Sequence, residues 1–290
     1  MCARSTSFSV NRRVFVGAGA TLAAGVGVFG YTTVIEPHWL EIVRRDLPIE
    51  KLPMPLDGAT LAHVSDLHAC SYVDESYLIE SLARLKPLAP DIVAFTGDFV
   101  SWEEHRPERA KVEQLLRVLS HLPNGRLATL AVLGNHDYGN TWLDRSIAQL
   151  ISSTVSETGM RVLRNEVATV GGLDIIGVDD LWSGRADAAA ALAMRSSESA
   201  IALCHNPDAM DELPWGSYAG WILAGHTHGG QCKPPFLPPP VLPVKNRRYT
   251  SGEIQVDPNR RLYISRGVGH LLKARFNVRP EITVFTLRTA

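Results

Sequence analysis

Cysteine is scarce in this chain. There are four cysteines among 290 residues, and none has the paired spacing of a zinc site. An excess of charge is also missing: the net charge is -1, whereas a protein that binds nucleic acid electrostatically is usually markedly basic. No internal repeat is present, and 45% hydrophobic with 20% charged residues is ordinary for a globular protein. The length suits one large domain or two small ones.

Charge is absent from one long stretch near the N-terminus. Arg12 and Arg13 precede a run of 22 uncharged residues, Val14–Ile35, which is long enough to span a bilayer. Glu36 and Glu41 follow the run. Because basic residues mark the cytoplasmic side, we expect the N-terminus inside the cell and the main domain outside.

The start of this run resembles a twin-arginine export signal, with the sequence NRRVFV over residues 11–16. Asn11 departs from the Ser or Thr that is usual there, and no small-x-small site closes the run. We therefore expect residues 1–36 to be a signal or a membrane anchor, with cleavage left open. Residues 37–57 are interpreted as a linker or edge segment, and residues 58–290 as the main domain.

The stretch that organises the main domain is Asp91–Val100, DIVAFTGDFV. Its apolar part predicts a buried strand that ends abruptly in Thr-Gly-Asp. Asp98 follows directly after the strand end, and its two carboxylate oxygens can bridge two cations. We therefore interpret Asp98 as the bridging ligand of a two-metal centre.

Four other segments place polar residues after a short apolar run. These residues are Asp66 and His68, Asn135 and His136, His205, and His226 with His228. Imidazole and carboxylate groups are the usual ligands of Zn, Fe and Mn. Helical patterns at residues 76–88 and 109–122 alternate with the strands, which predicts a largely parallel α/β arrangement. The carboxyl ends of such strands are where ligands gather.

These segments resemble, in order, the five blocks of the calcineurin-like metallophosphoesterases. The matching motifs are Asp66-x-His68, Gly97-Asp98, Gly134-Asn135-His136-Asp137, His205 and Gly225-His226-Thr227-His228. The resemblance covers about Leu61 to Leu287. The fuller forms GHTHGGQ, GVDD and RGVG are similar to an exported bacterial branch of this family, the YaeI/YkuE-like phosphodiesterases.

The resemblance implies a fold and a ligand set. The fold is a four-layer αββα sandwich, here preceded by the N-terminal signal or anchor helix. Two divalent cations (Mn, Fe or Zn) are expected, one held by Asp66, His68, Asp98 and His228. The second would be held by Asp98, Asn135, His205 and His226. His136 is expected to be the general acid, with Asp137 either orienting it or capping the following turn.

The implied reaction is hydrolysis of a phosphodiester or pyrophosphate bond by a hydroxide that the two cations activate. One alternative is a UDP-2,3-diacylglucosamine hydrolase of lipid A biosynthesis. Its substrate is cytoplasmic, so that reading places the domain on the cytoplasmic face of the membrane. A non-enzymatic alternative is a metal-binding scaffold. Expected partners are a phosphoester, lipid-linked or a nucleotide sugar, the membrane and the twin-arginine translocase, and no nucleic acid.

Several residues outside the five blocks are candidates for the substrate rim or for packing. Asp180, Trp182 and Arg185 could line the rim, although a turn or a surface loop would explain them equally. The proline-rich loop Pro234–Val244 is either a rigid packing element or an apolar lip that meets a lipid or the membrane. A disulfide between Cys70 and Cys232 is left open.

Overall fold

The computed structural model describes residues 25–102 and 107–290. The predictions for the arginine pair and for the first part of the uncharged run lie outside these residues. Residues 25–30 are helical, and a turn of π-helix, Tyr31–Ile35, and a 3-10 turn, Glu36–His38, lead into the domain. In the two described ranges, no helix combines the length and the apolar character needed to cross a membrane.

Two six-stranded mixed sheets form the centre of the domain. The first contains β1 (Glu41–Ile49), β2 (Thr60–Val64), β3 (Ile92–Thr96), β4 (Ala128–Val132), β5 (Arg161–Val162) and β12 (Glu281–Thr289), in the spatial order β1-β12-β2-β3-β4-β5. The second contains β6 (Glu166–Val170), β7 (Leu173–Gly177), β8 (Ala200–Leu203), β9 (Gly220–Ala224), β10 (Gly252–Gln255) and β11 (Arg260–Ile264), in the order β10-β11-β9-β8-β7-β6.

Helices cover the outer face of each sheet. They are α1 (Glu75–Ala83), α2 (Glu108–Leu119) and α3 (Arg145–Ser156) on the first sheet, and α4 (Ala188–Ala193) and α5 (Ala209–Glu212) on the second. Three apolar clusters fill the space between helices and first sheet, between the two sheets, and between the second sheet and its helices. The predicted α/β fold with four αββα layers is therefore confirmed.

Strand β3 shows how the sequence produces these layers. Val93 and Phe95 belong to the cluster under the helices, whereas Ile92 and Ala94 belong to the cluster between the sheets. Successive side chains of a strand point to opposite faces, so a strand covered on both faces is apolar throughout. This explains the continuous apolar run that precedes Asp98.

The segment interpreted as a linker or edge element contains β1, which pairs in parallel with β12 over nine residues. It is an edge strand with three consecutive exposed charged residues, Arg44, Arg45 and Asp46. Charged side chains on an edge strand discourage pairing with another chain. The folded domain therefore includes part of the segment that the sequence analysis interpreted as a linker or edge segment. The strand can carry these charges because an edge strand pairs on one side only.

Strand direction places the functional residues. In the first sheet β2, β3, β4 and β5 are mutually parallel, and in the second β7, β8, β9 and β11 are mutually parallel. The carboxyl ends of the parallel strands within each sheet therefore lie along one edge. The motif-bearing loops follow those ends in both sheets.

The cysteines do not form a crosslink in the described part of the chain. Cys70, Cys204 and Cys232 are not in disulfide bonds, so the disulfide left open between Cys70 and Cys232 is not formed. The Sγ atom of Cys204 lies 3.7 Å from the carbonyl oxygen of Asn206. Cys70 and Cys204, which lie near the ligand motifs, pack in the apolar clusters.

Candidate metal centre

Five of the predicted ligands have a left-handed backbone. Asp66, His68, Asp98, His226 and His228 have φ values of 55°, 49°, 55°, 72° and 49°. Non-glycine residues seldom adopt this region, and each such residue costs of order 1–3 kcal/mol. Backbone strain of this kind concentrates at functional sites, where the surrounding structure holds a side chain in one direction.

Two glycines let the ligand-bearing loops approach one another. A Cβ atom on Gly134 would overlap the carboxylate of Asp98, and one on Gly225 would overlap the carboxylate of Asp66 and the hydroxyl of Ser65. Only glycine leaves room for these contacts. The glycines of the motifs are therefore required by the packing of the site.

The first ligand cluster consists of Asp66, His68 and His228, all fully or almost fully buried. The Nε2 atoms of His68 and His228 are 2.9 Å apart. Asp66 Oδ1 lies 3.5 Å from His228 Nε2 and 3.9 Å from His68 Nε2. Three ligand atoms thus converge on one point, two from the loop after β2 and one from the loop after β9.

The second cluster consists of Asp98, His205 and His226. Asp98 Oδ2 is 3.1 Å from His205 Nε2, which in turn is 3.1 Å from His226 Nδ1. The same oxygen is 3.5 Å from His68 Nε2 in the first cluster. Asp98 therefore lies between the two clusters and reaches both.

The outer nitrogens of two histidines fix which nitrogen faces the centre. His205 Nδ1 is 2.7 Å from the carbonyl oxygen of Thr96, and His226 Nε2 is 2.8 Å from that of Pro243. A carbonyl oxygen only accepts, so these nitrogens carry the protons. His205 Nε2 and His226 Nδ1 are thereby left to bind a cation, as is usual for metal-binding histidines.

Burial and the attraction between Asp98 and His205 set the pKa values in the second cluster. Burial raises the pKa of Asp98, but His205 and His136 more than offset this and hold it well below its usual range. Burial lowers the pKa of His205, yet Asp98 raises it to about 10. For His226, burial and His205 lower the pKa to about 3. Asp98 and His205 thus each favour the charged form of the other.

Asn135 supplies an independent test of whether a metal fits. It is buried, and neither Oδ1 nor Nδ2 has a hydrogen-bond partner. A buried amide without a partner is costly, and a cation would satisfy its oxygen. Together with imidazole nitrogens and carboxylate oxygens, this donor set suits Mn, Fe or Zn. The residues therefore fit divalent cations.

His136 lies at the edge of the site and is half-buried. Its ring centroid is 5.0 Å from that of His68, and its backbone N–H donates to Asp98 Oδ1 at 2.9 Å. A ligand atom of His136 also lies within reach of His68 and Asp98. The geometry brings His136 to the site, and its role as general acid stays a prediction.

Asp137 makes the capping contact that was one of its two expected roles, since it accepts from Gly134 at the start of the turn Asn135–Tyr138. It is fully buried and accepts four backbone N–H groups. The donors are Gly134 and Asp98 at 2.9 and 3.0 Å, and Phe99 and Val100 at 2.9 and 3.3 Å. These bonds tie the loop after β4 to the loop after β3. Its action on His136 stays a prediction, because no hydrogen bond to that side chain is among these contacts.

Two tryptophans form one wall of the site. The Trp182 ring centroid lies 4.5 Å from that of His226 and 4.9 Å from that of Trp142. Trp142 is 5.9 Å from His136 in turn. Trp182 was a candidate from the sequence, whereas Trp142 was missed because it lies in a loop without periodic pattern. Its only signal was its position six residues after His136.

The other two rim candidates differ from each other in burial. Asp180 is fully buried, accepts the N–H of Ser183 at 2.6 Å and has one oxygen without a partner. Burial raises its pKa to about 7. Arg185 is half-buried, and its carbonyl oxygen accepts from Asn165 Nδ2 at 2.8 Å. The backbone contacts of Asp180 and Arg185 are those of a turn, which was the alternative to a position on the substrate rim.

Comparison with known proteins agrees with this geometry. The family model for calcineurin-like phosphoesterases matches residues 59–230. The chain is 33% identical to the metallophosphoesterase YkuE of Bacillus subtilis (strain 168), over 97% of this chain and 98% of that protein. It is 31% identical to the phosphodiesterase YaeI of Escherichia coli (strain K12), over 96% and 99%.

A third relative carries a more specific name. The chain is 27% identical to the UDP-2,3-diacylglucosamine pyrophosphatase LpxG of Chlamydia muridarum (strain MoPn / Nigg), over 93% of this chain and 97% of that protein. The family model, which covers more than half of the chain, and the two relatives above 30% identity show the same family. The chain belongs to the calcineurin-like phosphoesterases and is a metal-dependent hydrolase of ester bonds.

Proposed function

We propose that the two clusters hold two divalent cations with Asp98 between them, and that the protein hydrolyses phosphodiester or pyrophosphate bonds. The observation that carries this proposal is the position of Asp98 Oδ2, 3.5 Å from His68 Nε2 and 3.1 Å from His205 Nε2. Asp66, His68 and His228 would complete one site. Asn135, His205 and His226 would complete the other.

When bound, the cations polarise the phosphoryl oxygens and lower the pKa of the attacking water. The chain's own residues do the rest. Half-buried His136, at the edge of the site beside His68, would protonate the leaving oxygen. Asn135 provides a neutral oxygen, so its site keeps more positive charge than a third carboxylate would leave. The wall of Trp142 and Trp182 would place the substrate and keep water from that side.

A second candidate substrate is a nucleotide sugar with acyl chains, as in the name of the LpxG relative. Two observations favour it. The Trp142–Trp182 pair offers a flat aromatic surface suited to stacking a base or a sugar. The proline-rich loop joins the metal cluster directly, since the Pro243 carbonyl contacts His226, and exposes Phe236 and Leu237.

We expect the purified protein to hydrolyse bis-p-nitrophenyl phosphate when Mn²⁺, Fe²⁺ or Zn²⁺ is supplied, and to lose this activity in a chelator, because the metal site consists only of side-chain ligands. A panel of phosphomonoesters, phosphodiesters and nucleotide sugars would then rank the substrates. Absence of turnover with every metal, in protein shown to bind two cations per chain, would favour the scaffold interpretation instead.

We also propose that the domain lies on the outer face of the cytoplasmic membrane, either anchored by the uncharged run or released after cleavage. The arginine pair and the charge asymmetry around Val14–Ile35 support this location. The twin-arginine translocase would be the export partner. A peripheral location on the cytoplasmic face is the alternative, and it would suit the nucleotide-sugar substrate.

Replacing Arg12 and Arg13 together by Lys is expected to keep the protein in the cytoplasm, because the pathway reads the arginine pair. The measurement is protease protection in spheroplasts, with lysed cells as the control for cleavage. Wild-type protein should be digested in intact spheroplasts and the double variant should be protected. Protection of the wild type would place the domain inside the cell and move the nucleotide-sugar reading to first place.

A further inference from the structure

Three chain segments beside the metal centre expose apolar side chains. Phe236 is fully exposed, and Val241, Leu272 and Phe29 are 73%, 71% and 70% exposed. Isolated exposed apolar residues are ordinary, but a group of them marks an interaction surface. The group, called the apolar rim below, consists of Phe29, Phe236, Leu237, Val241, Leu271 and Leu272.

Hydrogen bonds join these segments into one surface. The side chain of Gln231 donates to the carbonyl of Leu272 at 3.0 Å and accepts from the N–H of Leu271 at 2.9 Å. The N–H of Arg275 donates to the carbonyl of Thr32 in the N-terminal turn at 2.9 Å. Gln231 precedes the proline-rich loop by three residues and Thr32 follows Phe29 by three. Hydrogen bonds therefore tie the segments that carry the rim to one another, although these segments are far apart in sequence.

Phe236 is exposed in an unfavourable backbone conformation. Its backbone is left-handed, with φ of 64°, and its side chain contacts solvent on all sides. Both features are unfavourable for a large apolar residue. The described part of the chain offers no apolar cover for it, so a partner outside this domain would remove the cost.

The backbone of the loop is suited to a water-poor environment. Five of the seven residues 234–240 are proline and have no N–H group that would need a hydrogen-bond partner. In lipid an unsatisfied backbone group is costly, so such a loop enters the membrane interface more easily than an ordinary loop. Lys233 and Lys273 are also exposed, and anionic headgroups would attract their charges; Lys273 lies 3.5 Å from Asp74.

The position of the N-terminal uncharged run indicates which partner covers the apolar rim. The uncharged run that begins at Val14 enters the structure at residue 25, and the exposed helical residues 25–29 continue it to the rim. A run of this length suits a bilayer. We propose that the apolar rim docks onto an anionic phospholipid bilayer and that Phe236 and Leu272 insert into it. The proline-rich loop that carries Phe236 also contacts His226 through the carbonyl of Pro243, so docking would bring the metal centre close to the membrane surface.

The experiment uses the full-length protein with Cys2→Ser and Cys232→Ser, which leaves the buried Cys70 and Cys204. One cysteine is introduced at a time, as Phe236→Cys or Leu272→Cys, and labelled with an environment-sensitive fluorophore. Leu127→Cys and Met194→Cys are matched controls, since both are more than half exposed but lie before the amino ends of β4 and β8. Each protein is reconstituted in phosphatidylcholine vesicles with phosphatidylglycerol.

Labels at 236 and 272 should shift to the blue and lose emission when the vesicles carry doxyl-labelled lipid, while labels at 127 and 194 should do neither. Equal behaviour at all four positions would overturn the proposal, whatever the N-terminal run does, because that run alone anchors all four proteins alike. Metal content of each labelled protein shows that its fold is intact. The readout does not depend on turnover, so it stands apart from the proposed reaction.

Discussion

Asp98→Asn is expected to abolish nearly all turnover and to reduce the bound metal below two cations per chain. The amide keeps one oxygen that can accept the His136 N–H, but it brings an NH₂ group, or a neutral oxygen, to the point that Asp98 Oδ2 shares with His68 and His205. Loss of about 4 kcal/mol of transition-state stabilisation corresponds to a roughly thousandfold fall in kcat/KM. Metal analysis and kinetics on the same sample measure both effects.

The matched control is Asp91→Asn, at the other end of the same strand. Asp91 accepts from Thr60 and forms an ion pair with Arg126, away from both ligand clusters. This change should affect stability rather than metal content. Full activity of Asp98→Asn with two cations bound would show that Asp98 is not the bridge, and would overturn the two-metal proposal.

His136→Gln should lower turnover while the metal content stays at the wild-type level. General acids contribute roughly 10²- to 10⁴-fold, and the contribution shrinks when the leaving group needs no proton. The loss should therefore be large for alkyl phosphodiesters and small for p-nitrophenyl esters. Rates measured across a series of leaving groups, together with metal analysis, would show the steeper dependence expected of the variant.

Metal analysis also tests the competing role. The structure places a ligand atom of His136 within reach of His68 and Asp98, so a variant that lacks one cation would make His136 a ligand and not the acid. Asp137→Asn serves as a structural comparison. It replaces an acceptor of four N–H groups and should lower the free energy of unfolding by about 1–3 kcal/mol, which would be seen as a lower urea midpoint. The variant His136→Gln should leave the urea midpoint nearly unchanged, because His136 is only half-buried.

The sequence predicted the parts of the site that depend on strand direction. Asp98 follows a strand whose apolar run is continuous because both faces are covered, and the same reasoning located the other ligand-bearing loops. Parallel strands bring their carboxyl ends to one edge, so residues far apart in sequence were expected together. The apolar pattern also placed α2 close to its observed bounds and predicted the start of α1, which ends at Ala83 and not at residue 88.

Features that depend on single tertiary contacts were not predicted. Strand β1 contains four charged residues and a proline, which is acceptable only because it pairs on one side. Helix α3 was not assigned, although its buried Ala148, Ile151 and Val155 have helical spacing. The four donors to Asp137 come mainly from another strand's loop, and no local pattern reports such a contact. Trp142 lies in a loop, and no periodic pattern in the sequence predicts that it reaches the site.

The position of β12 has a consequence for how the protein is made. All seven candidate ligands precede β12 in the chain, yet β12 lies between β1 and β2 in the first sheet. While the chain is being translated, β2, which precedes Asp66 and His68, therefore lacks its neighbour on one side until every ligand has been synthesised. A complete metal centre thus forms only after the ribosome has added β12. Cation loading then reports that the whole domain has been made, and a chain that stalls before β12 is not expected to retain its metals.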